Sequence, residues 1–420
     1  MRLLYVLASY VLFAILFPVL SVYRKTRHGL GQRLGFYGPG TLPVGSGPLL
    51  WLHGASAGDL LALSPMFAPL RERFPGCRIL LSTTTNTGYL MARERLAKQI
   101  DGVVYAPYDL WGATRRAVRA IKPALLVLEY TEIWPNLIRA AKRSGARVVM
   151  TNGRLSPKNE GKYRLFFSLI GNPLRDLDLF LMRQEEEAER ARNLGAPAER
   201  VWVTGNTKFD TLASAPAQED EALRHALGLT EGARVLMAGS THEGEEEHLL
   251  ALYWRLLPAH PDLRLVIAPR YIDRAGRIAA LAREVGLTVG LRSQENREGG
   301  QVVVLDTIGE LARAYRLASL VFVGGSFTKR GGQNILEPAG QGKPVLFGPH
   351  MDNFRDSVQV LAGQGGIQVQ DAEELFQKVS ELLSHPDRMT ALGEQARAVV
   401  GQISGASRRN VEHMARLFHG

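Results

Sequence analysis

Cysteine is almost missing: Cys77 is the only one in 420 residues. A lone thiol builds neither a disulfide framework nor a cysteine-based metal site, and a reducing compartment fits. No HExxH pair and no carboxylate cluster with metal-ligand spacing stands out. His242 with Glu243, Glu245, Glu246 and Glu247 reads as a helix start. There is no short internal repeat and no low-complexity segment. The basic residues are not interleaved with aromatics as a single-strand binder needs, so nucleic acid is excluded as the expected partner.

What is present is a globular profile, 45% hydrophobic and 22% charged, in a chain long enough for two domains. The net charge of +10 is uneven. Residues 24–206 carry 27 Lys/Arg against 15 Asp/Glu, and residues 207–420 carry 23 against 26. A basic first half calls for an anionic partner, such as a membrane surface or phosphorylated lipid. Residues 3–23 carry no charge, and a bilayer crossing needs roughly 20 such residues. Arg24, Lys25, Arg27, His28 and Arg33 follow. This predicts an N-terminal membrane anchor over 1–23, spanning or lying in plane, with the body of the protein cytoplasmic. No small-residue cleavage site accompanies it, which argues against a removed signal peptide.

From residue 49 onward short apolar runs alternate with helical patterns, and polar residues gather just after each run. The runs fall at 49–53, 78–82, 102–106, 124–128, 146–150, 179–182 and 201–204. They resume at 234–238, 264–268, 302–305, 320–323, 344–347 and 366–369. That is the pattern of doubly wound parallel sheets in an α/β protein. An Ala/Pro- and acid-rich linker at 211–230 separates an N-terminal domain, 24–210, from a C-terminal one, 231–390, and the remaining 391–420 reads as helix.

The most informative stretch is 320–349, LVFVGGSFTKRGGQNILEPAGQGKPVLFGP. It reads strand, glycine loop, helix start, strand. Asn334 caps, and Ile335, Leu336 and Glu337 form the first turn. Free N–H groups and the helix dipole there favour an anion, and Glu337 could accept hydrogen bonds from ribose hydroxyls. The plain alternative is a glycine-rich surface turn. In the first half, Gly54–Asp59 repeats the theme of strand, small-residue loop and helix. Asp59 is either a helix cap or a general base aimed at a ligand. Glu129 and Glu132 follow a buried strand at the end where such sheets bind ligands.

WLHGASAGD, EYTEIWPN, NGRLS, TGNTKFD, STHEGEE, the pair Pro269-Arg270, DTIGEL and FVGGSFTKRGGQNILEPAGQGKPVLFGPH occur in that order. Together they resemble the 3-deoxy-D-manno-octulosonic acid (Kdo) transferase family over nearly the whole chain. The resemblance implies a GT-B fold, two Rossmann-like doubly wound domains facing a cleft, with the N-terminal anchor holding it to the cytoplasmic side of the bacterial inner membrane. It implies inverting transfer of Kdo from a CMP-Kdo donor to an anionic glycolipid, the lipid A precursor lipid IVA, with no cofactor and no metal. Nucleotide binding would fall to Pro269, Arg270, Ile308, Gly309, Glu310, Asn334, Ile335, Leu336 and Glu337. Asp59 would be the base, Lys208 would stabilise the transition state, and Glu132 would match the second acid of the family's E-T-E motif.

Two positions depart from the family pattern. Asp59 stands where the family has glutamate, one methylene shorter. Tyr130 stands at the first acid of E-T-E, and Glu129, displaced by one, would face the other side of a strand. These departures keep two further readings open: a GT-B transferase with a different acceptor, and a nucleotide-sugar-binding relative with an impaired base.

Overall fold

A computed structural model describes residues 2–22, 28–210, 220–294 and 300–418. The chain forms two compact units, Met1–Thr211 with Ser404–Gly420, and Leu212–Ile403.

The first unit holds strands β1 (Leu49–His53), β2 (Arg78–Thr83), β3 (Gly102–Tyr105), β4 (Leu125–Glu129), β5 (Arg147–Gly153), β6 (Leu179–Met182) and β7 (Val201–Val203). They form one parallel sheet in the order β3-β2-β1-β4-β5-β6-β7. Both faces are covered, so alternate residues of a strand enter different cores. Leu49 and Trp51 pack with Leu126, Leu128 and Leu137. Leu50 and Leu52 pack with Leu125, Val127, Leu60 and Phe67 on the opposite face.

The second unit repeats the plan with β8 (Arg234–Thr241), β9 (Leu263–Pro269), β10 (Val289–Leu291), β11 (Val302–Val304), β12 (Leu320–Val323), β13 (Val345–Phe347) and β14 (Gly366–Gln368). Its order is β10-β11-β9-β8-β12-β13-β14. Only β10 escapes the sequence reading, and its three residues are all half-buried. The strand order reverses between β1 and β4 in the first sheet and between β8 and β12 in the second, where β10 also lies outside β11. In open parallel sheets the carboxyl ends at such a reversal are where ligands bind.

The C-terminal segment is two helices rather than one. Pro386–Ile403 belongs to the second unit and Ala406–Arg416 to the first. Asp210 makes the return possible. Its carboxylate accepts from the amides of Gly405, Ala406 and Ser407 at 2.6–3.1 Å, capping the last helix from across the sequence. The linker expected over 211–230 overlaps residues 211–219, which lie outside the described residues, and a helix at Glu221–Ala226 follows.

The N-terminal helix Arg2–Val22 lies against the first unit. The Tyr5 hydroxyl donates to Asp109 at 2.7 Å, the Tyr10 hydroxyl accepts from the Gly112 amide at 2.9 Å, and Phe13 packs on Tyr108. Leu7, Val11, Leu12 and Ile15 are exposed on it. Among the described residues no helix is long and apolar enough to cross a membrane. Tyr23 of the expected anchor, and Arg24, Lys25 and Arg27 of its basic flank, lie outside the described residues.

Asp210→Ala strips three amides of their acceptor. It is expected to cost about 1–2 kcal/mol and to raise hydrogen exchange over 406–416 before the rest of the first unit responds.

Candidate active site

In the first unit the chain leaves β1 at His53, turns at Gly54 and enters the helix Ala57–Leu63. A Cβ on Gly54 would stand 2.9 Å from the Cβ of Asp59, so only glycine lets the turn pass this close. Asp59 is the third helical residue, and one of its oxygens accepts from the Ser56 amide at 2.8 Å. The cap reading of Asp59 therefore holds, and it serves the other reading as well. One oxygen fixes the half-buried carboxylate, and the cap does not engage the second.

Beside Asp59 sits a buried polar chain. Glu129 is fully buried at the end of β4. It accepts from Thr151 Oγ1 and from Asn152 Nδ2, both at 2.6 Å. Asn152 Nδ2 also donates to Thr207 Oγ1 at 2.5 Å, and Asn152 Oδ1 accepts from the Thr207 amide at 3.0 Å. Thr207 Oγ1 then donates to the carbonyl of Ala62, at 2.6 Å, on the helix that carries Asp59. Lys208 follows Thr207, and its Nζ lies 5.2 Å from the centre of the Tyr130 ring. Burial raises the Glu129 carboxyl to about 8; Thr151 and Asn152 oppose the rise, Asp59 adds to it and Lys208 opposes it.

Glu129 is kept inside, while the Tyr130 ring lies beneath Lys208. β4 ends at Glu129, and Tyr130 takes a left-handed φ of 55°, so the period of two stops and the acid stands within the field of Asp59 and Lys208. Asn152 is also left-handed, at 48°, a conformation that buried side-chain bonds can hold in place. Glu132 joins a different set. It accepts from Trp134 Nε1 at 2.7 Å and lies 3.3 Å from His53 Nε2. Burial by itself would raise its carboxyl, but the bonds to His53 and Trp134 outweigh that and hold it below the ordinary value. The sheet thus gathers Asp59 and Lys208 around Glu129, and turns Glu132 toward His53.

In the second unit the expected nucleotide residues follow β9, β11 and β12. The Arg270 amide donates to the Thr241 carbonyl at 2.9 Å, leaving the exposed guanidinium outside the sheet. Ile308 is 83% exposed. Gly309 has a φ of 88°. Glu310 pairs with Arg292 at 2.9 Å. Asn334 Oδ1 accepts from the Leu336 amide at 3.1 Å. The helix behind it spans only Leu336–Gly340, with Ile335 as its cap residue. Burial raises the Glu337 carboxyl above its ordinary value.

The amides that open the glycine turn, ahead of the helix end at Asn334, are taken by one of the chain's own side chains. Glu245, fully buried, accepts from the amides of Gly325 and His242 with one oxygen, at 2.7 and 2.9 Å. Its other oxygen accepts from Ser326 and Phe327, at 3.0 and 2.9 Å. A Cβ on Gly324 would come within 2.8 Å of that carboxylate. Sequence reasoning treated Glu245 as part of a helix start, because its partners on the turn lie some 80 positions away. Asn152 and Thr207 were likewise visible only as members of NGRLS and TGNTKFD.

With this geometry in place, comparison with known proteins adds the following. A family model described as 3-deoxy-D-manno-octulosonic-acid transferase (kdotransferase) matches residues 28–211. A 3-deoxy-D-manno-octulosonic acid transferase of Chlamydophila psittaci is 32% identical over 377 residues, covering 88% of this chain and 86% of that one. The protein of the same name from Bordetella pertussis is 33% identical over 377 residues, covering 86% of each. Among solved structures, UDP-GlcNAc 2-epimerase from Neisseria meningitidis aligns over 88% of this chain and 100% of its own, with a TM-score of 0.60 at 15% identity. A glycosyltransferase from Rickettsia africae aligns over 89% and 98%, with a TM-score of 0.54 at 12% identity. At such identities these two structures speak to the fold alone.

Glu245→Ala leaves four amides without an acceptor, three of them buried, and Glu245→Gln turns a donor toward two of the four. Each is expected to cost about 3 kcal/mol or more, read as a lower denaturant midpoint for the second unit.

Proposed function

As a member of the 3-deoxy-D-manno-octulosonic acid transferase family, to which it belongs, the protein is a glycosyltransferase, and we propose that it moves Kdo from CMP-Kdo to a lipid A precursor, with inversion and without a metal. The observation that carries this is the placement of Asp59. A carboxylate with one oxygen tied to a helix cap and the other uncommitted by that cap stands in the field of Glu129, as Lys208 does, at the carboxyl end of a parallel sheet.

In this reading Asp59 removes the proton from a sugar hydroxyl of the acceptor. That oxygen forms a bond to C2 of Kdo as the bond from C2 to the CMP phosphate oxygen breaks. The attack comes from the face opposite the leaving group, which inverts the anomeric centre. Arg270 supplies a charge-assisted contact to the donor phosphate. The amides of Gly325, Ser326 and Phe327 are taken by Glu245, so phosphate recognition rests on this side chain more than on the turn. Glu337 suits the ribose hydroxyls, and Lys208 offsets negative charge on the Kdo carboxylate or the departing CMP.

Attachment to the cytoplasmic face of a bacterial inner membrane belongs to the same proposal. It is supported by the excess of 12 positive charges over residues 24–206 and by the apolar residues exposed on Arg2–Val22. A second reading, the same donor with a different acceptor, is favoured by Tyr130. Its ring lies beneath Lys208 where the family pattern has a carboxylate, which changes the charge an acceptor meets.

Purified protein incubated with CMP-Kdo and a panel of lipid acceptors tests both readings. Lipid IVA is expected to be converted with or without EDTA, and Asp59→Ala is expected to lower kcat by about 100-fold or more. Conversion of other acceptors only would select the second reading. A large rise in rate on restoring Asp59→Glu with Tyr130→Glu would mark the natural chain as base-impaired.

A further inference from the structure

Glu129 makes no contact assigned to substrate, yet it is the buried group on which the first unit's polar residues converge. Its oxygens take both Thr151 and Asn152. Asn152 fixes Thr207 through its amide and its hydroxyl. Thr207 binds back to Ala62. Two segments are thereby tied to one point. One is the helix Ala57–Leu63, which carries Asp59. The other is the short helical turn Thr207–Phe209, which carries Lys208. Neither segment is long: the helix has seven residues and the turn three. Their mutual placement depends on bonds between them rather than on their own rigidity.

We propose that Glu129 is a positioning residue that holds Asp59 and Lys208 in mutual register through Asn152 and Thr207, and that it does so as the uncharged acid. This inference rests on the roles proposed above for Asp59 and Lys208. A neutral carboxylic acid suits so buried a position, where its two oxygens accept from Thr151 Oγ1 and Asn152 Nδ2, both uncharged donors. An ionised Glu129 would add a second negative charge next to Asp59 in a water-poor place and would compete for Lys208. The charged and titratable groups facing it are Asp59, Lys208 and Tyr130, with Arg154 and Arg183 beyond the Tyr130 ring. Burial places the carboxyl at about 8. The sign follows directly: the acid is neutral below that pH, and the positioning it provides is lost as pH rises through it. This also accounts for what the Tyr130 departure leaves behind. The left-handed turn at Tyr130 swings a phenol under Lys208, and the acid of the preceding residue is kept inside.

Two sets of measurements on the full chain decide it. In thermal unfolding, Glu129→Ala and Thr207→Val are expected to lower the Tm together by clearly less than the sum of their separate losses, because both break one chain of bonds. Additive losses would overturn the connection, whatever the protein turns over. In Kdo transfer from CMP-Kdo, Glu129→Ala is expected to lose about 100-fold in kcat with little change in KM. Glu129→Gln, which keeps one acceptor and one donor, is expected to recover most of that loss. It should also remove the decline in rate that the unaltered chain shows as pH rises through about 8. Wild-type turnover in Glu129→Ala, or the same alkaline decline in Glu129→Gln, would overturn the proposal. Absence of transfer by the unaltered chain would fall on the proposed function, and the unfolding experiment would still decide this inference.

Discussion

A carboxyl group with no route to water organises each half of this protein at the point where its strand order reverses. In the first unit it is Glu129, bonded to the end of β5 and through it to the segments that carry Asp59 and Lys208. Loops at the carboxyl ends of parallel strands have few backbone partners of their own. Without a shared acceptor they would be free to drift by the ångström that separates a productive geometry from an idle one. Burial of an acid is costly: it pushes this carboxyl up, and the bonds from Thr151 and Asn152 oppose the rise.

The second unit solves the same problem with main-chain donors. Glu245 accepts from four backbone amides. Main-chain donors that would otherwise form an anion site are thereby turned into a rigid joint between β8 and β12. The glycines of the turn are needed for close approach to this side chain, with Gly324 lying against the carboxylate itself. In the proposed function, recognition of an anionic donor then falls to side chains such as Arg270.

Much of the architecture could be read from residues alone, and the reasons are local. Strands such as Leu49–His53 and Leu320–Val323 are buried on both faces and announce themselves as apolar runs. Val289–Leu291 is half-buried and short, so nothing sets it apart from a loop. Asp59 was legible because the capping position and the loop before it are consecutive in sequence. The bonds of Glu129 to Thr151 and Asn152 were not legible, because they cross to the neighbouring strand some 20 positions away. The partners of Glu245 on the turn and of Asp210 on the last helix are distant in the chain, so no local pattern announces them. The single C-terminal helix expected over 391–420 failed for the same reason. Gly405 adopts a φ of 82° and the chain restarts in another unit under the cap of a remote aspartate.

The claim that everything else serves is that Asp59 takes a proton during transfer. Chemical rescue tests it most directly. In Asp59→Ala, added formate can occupy the vacated space and supply the missing carboxylate. The account predicts that Kdo transfer by this variant rises in a saturable way with formate, while the unaltered protein does not respond. Transfer by Asp59→Ala at the unaltered rate, with no dependence on formate, would contradict it.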